Sequence, residues 1–123
     1  MKIKESAENY LEAIMILQQK NGYVRSIDVA NHLGFAKPSV SVAMKSLREE
    51  GCVVTDENGY LSLTEKGLKI ASGIYERHTV IARVLMALGV SEKNAFEDSC
   101  KIEHDISEES FEKIKIFLNN HNK

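Results

Sequence analysis

The order of elements in the first half of the chain is decided by residues 26–51, which read SIDVANHLGFAKPSVSVAMKSLREEG. Ser26 can cap a helix, and Gly34 can end that helix in the left-handed conformation that glycine adopts readily. Pro38 fits the first turn of the next helix, because its missing N–H costs nothing there. That helix stops at Gly51 and has apolar residues at i, i+4 and i+7, namely Val40, Met44 and Leu47. The stretch predicts two helices joined by a tight turn.

Helical periodicity precedes this stretch, and a change of period follows it. Ser6 is a candidate cap for a first helix, whose apolar residues recur at helical spacing: Tyr10, Leu11, Ile14 and Leu17. After residue 51, the β-prone residues 53–55 and 60–63 flank the sequence Asp-Glu-Asn-Gly, which is a hairpin turn signal. Three helices followed by a hairpin form the order of a winged helix-turn-helix, whose third helix lies in the major groove of DNA.

The predicted third helix carries the candidate DNA contacts. Its outward side has small hydroxyl and apolar side chains that permit close approach to base edges, together with basic residues that meet phosphates. The predicted contacts are Ala36, Lys37, Pro38, Ser39, Ser41, Val42 and Lys45. Ala43 is also expected to face outward, and Arg48 is expected to meet a phosphate. The hairpin tip is acidic, so we do not expect it to bind phosphate strongly.

Charge supports DNA binding less than the order of elements does. The chain has 16 Lys and Arg against 18 Asp and Glu, a net charge of −2, and residues 1–63 contain seven basic and eight acidic residues. A winged helix that mediates protein contacts is therefore an alternative. Three of those basic residues nevertheless lie on the predicted third helix or its turn, which together with the topology favours DNA.

Length and composition limit the class of protein. The chain has 123 residues, of which 43% are hydrophobic and 28% charged, so it is neither disordered nor of low complexity. We expect a mainly α fold with a winged helix-turn-helix domain over 1–72 and a helical domain over 73–123. No apolar run reaches the roughly 18 residues of a membrane span, and we expect no signal peptide. Two cysteines are too few for a disulfide framework and suit a reducing cytoplasm.

The second half of the chain is predicted to be helical and to dimerise. Thr64 can cap a long helix, Ser91 a helix that runs toward His104, and Ser107 a last helix. The apolar stripe of the long helix is wider than so short a chain can cover, so we expect a homodimer to bury part of it. The stripe consists of Val80, Ile81, Val84, Leu85 and Leu88.

A set of metal-ligand side chains also lies in the second half. Cys100, Glu103 and His104 stand at i, i+3 and i+4, so one helix face presents a thiolate, a carboxylate and an imidazole. This set suits a transition metal and is poor for Mg²⁺ or Ca²⁺. Taken singly, each residue has an ordinary structural explanation, but the three together make a poor hydrophobic core. Three further candidate ligands lie on other predicted helices: Asn9, Glu12 and His78.

Six motifs follow one another in the order and spacing of a known family. They are AENYLEAI at 7–14, SIDVA at 26–30, PSVS at 38–41, LTEKG at 63–67, RH at 77–78 and CKIEH at 100–104. On these motifs, nearly the whole chain resembles the diphtheria toxin repressor family, which includes iron-dependent repressors and manganese transport regulators. The resemblance implies a homodimer whose winged helices read a palindromic operator and whose C-terminal helices dimerise and hold the metal.

The resemblance also implies which positions bind metal. Carried over position by position, the ligands are Asn9, Glu12, His78, Cys100, Glu103 and His104. The iron branch usually has Met in place of Asn9 and the manganese branch Asp, whereas Glu12 is similar to the manganese branch and Cys100 to the iron branch. Ala82 and Phe96 replace the Glu and His of the iron branch's ancillary site, so we expect that site to be incomplete. Larger members continue into an SH3-like domain, which we expect this short form to lack.

We therefore predict a cytoplasmic, dimeric, metal-activated repressor of metal-uptake genes that binds double-stranded DNA, with no membrane association and no small organic substrate. We expect Fe²⁺ as the metal, because Mn²⁺ uses a soft thiolate poorly. Mn²⁺ is the alternative, and Zn²⁺, Co²⁺ or Ni²⁺ should bind in vitro. One rival is a winged-helix regulator or interaction module with a decayed metal site, which Asn9 favours. Another is a metalloenzyme with Glu103 as its base, but no nucleophile elbow or phosphate loop supports an enzyme.

Overall fold

The structure is a computed structural model that describes residues 5–121. Within these residues there are six helices and one two-stranded sheet. In chain order they are α1 (Glu5–Asn21), α2 (Ser26–Leu33), α3 (Lys37–Glu49), β1 (Val53–Thr55), β2 (Leu61–Leu63), α4 (Glu65–Ala87), α5 (Glu92–Ile102) and α6 (Glu108–His121). Lys2 and Lys4, two of the basic residues counted above, lie outside the described residues, as does the start of the chain, where no signal peptide is expected. The predicted mainly helical fold with a winged helix-turn-helix is confirmed.

The turn between α2 and α3 forms as the sequence predicts. Gly34 has a φ of +71° and ends α2 in the left-handed conformation, while the Phe35 N–H donates to the Ala30 carbonyl at 3.0 Å. The ring of Phe35 then packs edge-on against Tyr10 of α1, with ring centroids 5.7 Å apart. Because the turn is tied to α1 in this way, α3 leaves it in a fixed direction.

Two predicted helix caps are wrong. Ser6 lies inside α1, and Ser26 is the first residue of α2 rather than its cap. The cap of α2 is Arg25, whose backbone N–H donates to a carboxylate oxygen of Asp28 at 2.9 Å. An acidic side chain in the first turn thus orders this helix start in place of the serine hydroxyl.

The wing is a hairpin that pairs with the link before α2. Strands β1 and β2 are antiparallel, and Tyr60, which was predicted to belong to β2, instead forms an isolated bridge with Arg25. The Leu61 N–H donates to the Val24 carbonyl at 2.8 Å. At the tip, one carboxylate oxygen of Asp56 accepts the N–H of Asn58 at 2.8 Å and that of Tyr60 at 2.9 Å. This acidic residue therefore orders the turn.

The start of α4 is packed directly against the backbone before the wing. The Thr64 hydroxyl accepts the Gly67 N–H at 3.1 Å, as the predicted cap requires, and donates to the Gly51 carbonyl at 2.6 Å. A Cβ atom at Gly67 would overlap the carbonyl oxygen of Cys52 and lie 3.0 Å from its carbonyl carbon. Glycine is therefore required here because the two backbones approach so closely.

The chain divides into two compact units, Met1–Ser72 and Gly73–Lys123. In the first unit, α1, α2, α3 and the wing enclose one apolar core. The largest fully buried apolar side chains of that core are Leu11, Ile14, Val24, Val29, Val40, Met44, Val53 and Leu61.

The second unit consists of the later part of α4 together with α5 and α6. Ser91 and Ser107 cap α5 and α6 as predicted, accepting the N–H of Asn94 at 3.3 Å and of Ser110 at 3.1 Å. Its buried apolar residues are Ile74, Ile81, Ala82, Ala95, Phe111 and Leu118. Among residues 5–121, none of the helices combines the length and apolar character that a bilayer crossing requires.

Candidate metal centre and DNA-binding face

Three of the predicted metal ligands converge in the second unit. One donor atom from each of His78, Cys100 and Glu103 lies within 4.8 Å of the other two. Cys100 Sγ is 3.4 Å from His78 Nε2, and His78 Nδ1 is 3.7 Å from a carboxylate oxygen of Glu103. These side chains come from α4, from the last turn of α5 and from the residue directly after α5, so packing of the two helices assembles the cluster.

His104 lies in a different element from the one predicted, because α5 ends before it. The helix ends at Ile102, so His104 lies in the turn that follows and not on a shared helix face. Glu103 has a φ of −56° and a ψ of −27°, which keeps it in helical geometry three residues after Cys100. His104 still joins the cluster, because its Nε2 lies 3.3 Å from a carboxylate oxygen of Glu103.

Burial is graded across these four side chains. Those of Glu103 and His104 are 0% and 2% exposed, that of His78 is 22% exposed, and Cys100 is exposed. A buried carboxylate is costly unless it faces positive charge or hydrogen-bond donors. Thiolate, imidazole and carboxylate together are the donor set that a divalent transition metal accepts, so these side chains fit such an ion. Cys100 lies on the side that solvent reaches.

Two residues contact the cluster in ways that the sequence analysis did not predict. Phe96, which the sequence marks only as the replacement for a histidine ligand, packs edge-on against His78 with ring centroids 5.5 Å apart. Its position one helical turn before Cys100 was the available signal. Arg77, noted only as part of the Arg-His motif, donates to the carbonyl oxygens of Glu103 and Ile106. Ala82 is fully buried, and neither it nor Phe96 has a ligand atom to offer.

The other two predicted ligands lie on α1, in the first unit. Asn9 is half-buried, and Glu12, one helical turn later, is only 8% exposed. Glutamate is seldom this buried, so its place on the inner side of α1 is unusual. The structure thus brings His78, Cys100 and Glu103 together, with His104 in contact with Glu103. The ligand role of all six residues stays a prediction.

The predicted DNA-binding face is on the surface of α3 and the turn before it. All seven predicted contact residues are exposed, and Val42 is 70% exposed although it is apolar. Val40, Met44 and Leu47 are buried as predicted. Ala43 was predicted to face outward but is half-buried and packs on the core.

Arg48 has a contact that the sequence did not suggest. Its guanidinium donates to the Thr55 hydroxyl at 3.2 Å and so ties α3 to β1. Arg48 is nevertheless exposed, so the expectation that it meets a phosphate stays a prediction.

Comparisons with known proteins agree with a DNA-binding first half and a metal-binding second half of the chain. The family model described as the iron dependent repressor N-terminal DNA binding domain matches residues 2–62. The model described as the iron dependent repressor metal binding and dimerisation domain matches residues 64–123. Both halves of the chain are therefore covered by the same family.

Individual relatives extend the similarity over nearly the whole chain. The chain is 34% identical over 118 residues to an uncharacterised HTH-type transcriptional regulator of Methanocaldococcus jannaschii, with 94% of each chain covered. It is 32% identical over 118 residues to the transcriptional regulator MntR of Escherichia coli O157:H7, covering 96% of this chain and 76% of that one.

One solved structure supports both the fold and the family. The structure of the manganese regulator SloR matches with a TM-score of 0.81 and 29% identity over 97% of this chain. The match covers 55% of SloR, so this chain spans about half the length of that regulator. On the two family models and these relatives, the chain belongs to the iron-dependent repressor family, whose members are metal-dependent transcriptional regulators with a DNA-binding and a metal-binding domain.

Proposed function

We propose that this protein is a metal-activated repressor of metal-uptake genes, in which a divalent metal binds His78, Cys100, Glu103 and His104. The observation that carries the proposal is the convergence of a thiol, an imidazole and a carboxylate within 4.8 Å in the second unit. In this proposal residues 1–72 bind DNA, and residues 73–123 hold the metal and form the dimer. Metal favours the DNA-binding form by as much as its affinity for the two forms differs.

The proposed activating metal is Fe²⁺. Cys100 supports this choice, because its sulfur adds a soft donor to the imidazole and carboxylate groups, and Mn²⁺ prefers oxygen ligands. Mn²⁺ is the second candidate, which the name of the manganese regulator SloR favours. The family resemblance also implies Asn9 and Glu12 as ligands, and this role stays a prediction. Asn9 could offer only a neutral carbonyl oxygen, which would lower the affinity.

The proposed DNA target is a palindromic operator. A symmetric dimer presents two α3 helices, so its half-sites should lie about one helical turn of DNA apart, ~34 Å, or a multiple of that distance. Lys37 and Lys45 are the proposed phosphate contacts, and Ser39 and Val42 the proposed base contacts. Binding to such an operator supports the proposed location of the protein in the cytoplasm.

The test is DNA binding with and without metal. A gel shift uses the DNA upstream of the protein's own gene, under anaerobic conditions, with Fe²⁺, with Mn²⁺ or with no metal. We expect specific binding only with metal, and loss of binding when a chelator is added. Specific DNA binding of equal strength with and without metal would favour a regulator with a decayed metal site. Absence of specific DNA binding in every condition would overturn the proposal.

A matched pair of variants ties this result to the cluster. Glu103→Gln removes the buried carboxylate charge while keeping its shape, and Glu97→Gln makes the same change at an exposed position of α5. We expect the first variant to need far more metal for DNA binding and the second to match the wild type. Equal metal requirements in both variants would place the activating metal elsewhere.

A further inference from the structure

The guanidinium of Arg77 joins three parts of the second unit. Its Nη1 atom donates to the carbonyl oxygen of Glu103 at 3.1 Å and to that of Ile106 at 3.4 Å. Its Cζ atom also lies 5.3 Å from the ring centroid of Phe111 on α6. One half-buried side chain of α4 therefore contacts the turn after α5 and the helix that follows this turn.

This contact is made where α5 leaves its last carbonyl groups without helical partners. The final carbonyl oxygens of any helix need hydrogen-bond donors from outside the helix, and a cation there also interacts favourably with the helix dipole. The backbone N–H of Glu103 donates to the Ser99 carbonyl at 2.9 Å, and the Ile102 carbonyl accepts the N–H of Asp105 at 2.9 Å and that of Ile106 at 3.3 Å. The backbone of Glu103 is thus held by α5 on its N–H side and by Arg77 on its carbonyl side.

We propose that Arg77 is a positioning residue of the metal centre, which fixes the backbone of Glu103 so that its carboxylate faces His78 and His104. Arg77 itself binds no metal. Arg77 and His78 are consecutive in α4. The same part of α4 therefore supplies the proposed ligand His78 and anchors the segment after α5, which carries Glu103 and His104. The inference rests on the proposed function, since it takes the four clustered side chains to be the metal ligands.

Arginine suits this position better than lysine does. Its planar guanidinium can direct two N–H groups of one nitrogen at two carbonyl oxygens while its face or edge contacts an aromatic ring. Lysine keeps the positive charge but has a compact ammonium group without this geometry. A lysine at position 77 should therefore hold the turn partly, and an uncharged side chain of similar length should not hold it.

The experiment titrates Co²⁺ alone into the anaerobic full chain of the wild type, Arg77→Met and Arg77→Lys. Arg83→Met is the matched control, because Arg83 is an exposed arginine of the same helix.

Thiolate-to-cobalt absorption reports binding at Cys100, and the visible d–d bands report the ligand geometry. We expect Arg77→Met to raise the Kd about tenfold or more and to change the d–d bands, as loss of a residue that orients ligands commonly does. Arg77→Lys should recover part of this loss, and Arg83→Met should match the wild type.

The outcomes separate this inference from the proposed function. A wild type without thiolate-to-cobalt absorption would overturn the proposed metal site itself. A wild type with that absorption, and an Arg77→Met variant with the same Kd and d–d bands, would overturn the role of Arg77 alone.

Thermal unfolding of each metal-free variant tests whether Arg77 only stabilises the fold. If so, its replacement would lower the Tm but leave the Kd and the spectrum of the folded protein unchanged. If Arg77→Met does not fold, Arg77→Lys decides the question. A Kd several-fold above that of the wild type supports the inference, and an unchanged Kd overturns it.

Discussion

Cys100 Sγ lies 3.4 Å from His78 Nε2, although 22 residues separate the two in the chain. The sulfur is on the exposed side of the cluster, and the carboxylate of Glu103 closes the buried side. At the proposed metal site, an ion from solvent would therefore meet the sulfur and the imidazole before the buried side chains. The pair is therefore the point at which substitution should reveal metal binding most directly.

Metal should stabilise the folded chain, and Cys100 should account for much of the effect. A ligand that binds only the folded state stabilises it by about 2.7 kcal/mol at one hundred times its Kd. We expect Zn²⁺ to raise the Tm of the wild type and Cys100→Ser to lose most of that rise. Differential scanning calorimetry with and without Zn²⁺ measures both.

Cys52→Ala is the control for this measurement, because Cys52 is buried in the first unit. Its metal-free Tm should fall, since the substitution removes core volume, but the rise produced by Zn²⁺ should persist. A full Zn²⁺ effect in Cys100→Ser would show that the sulfur is not a ligand.

Dimerisation should depend on the outer part of the α4 stripe. Ile81 is buried within its own chain, whereas Leu85 is half-buried and Leu88 is 75% exposed, so the part of the stripe left for a partner includes Leu85 and Leu88. We expect Leu85→Glu to give monomers, because a carboxylate in an apolar interface is costly. Leu68→Glu places the same charge at an exposed position of α4 in the first unit and should stay dimeric. Sedimentation at micromolar concentration decides, and a dimeric Leu85→Glu variant would exclude this interface.

DNA binding should lose one phosphate contact when Lys45 is replaced. We expect Lys45→Ala to weaken binding to operator and random DNA about equally, and to reduce the slope of log K against log salt by about 0.9. Lys101→Ala, an exposed lysine in the second unit, should leave the slope unchanged. Fluorescence anisotropy at several salt concentrations measures the slope.

Base reading is tested separately through Val42, which is exposed on α3. Val42→Asp should abolish operator preference, because it places a carboxylate where we propose contact with base edges. The docking of α3 would be wrong if both Lys45→Ala and Val42→Asp bound operator and random DNA as the wild type does.

The stability of the first unit should depend on Gly67. An alanine there would place its Cβ against the Cys52 carbonyl, so we expect Gly67→Ala to lower the free energy of unfolding by about 1–3 kcal/mol. Gly73 is the matched control, because it lies in the same helix with open space around its Cα. Gly73→Ala should raise the free energy of unfolding by about 0.5–1 kcal/mol. Urea denaturation that shows the same effect for both variants would contradict this packing.

Local signals explain why the order of elements was predictable. Gly34 and Pro38 act on their own turns, and the apolar spacing of α3 determines which of its faces is buried, so these predictions needed no distant contact. Helix ends were less predictable, because they depend on partners from outside the helix. Ser26 was displaced as a cap by the bond from Arg25 to Asp28, and α5 ends at Ile102.

The metal centre was predictable only in part for the same reason. Cys100 and Glu103 are three residues apart, so their spacing alone indicated a shared face. His78 was a candidate ligand by its residue type, and the family resemblance supplied its place in the ligand set, because nothing in its local sequence fixes its distance to α5. Arg77 and Phe96 were missed as supporting residues, since their contacts arise when α4 and α5 pack together.

The choice of metal should follow the donor atom at position 100. Thiolate favours Fe²⁺, Co²⁺ or Zn²⁺, whereas a carboxylate there gives the oxygen-rich set that suits Mn²⁺. We expect the wild type to bind operator DNA at lower Fe²⁺ than Mn²⁺ concentrations under anaerobic conditions. Cys100→Glu should narrow or reverse that preference, because it replaces the soft donor and leaves His78, Glu103 and His104 in place. Cys52→Ala, which changes a cysteine remote from these ligands in sequence, should keep the wild-type preference. Equal activation of the wild type by both metals, with no change in Cys100→Glu, would contradict the assignment of Fe²⁺ through the sulfur of Cys100.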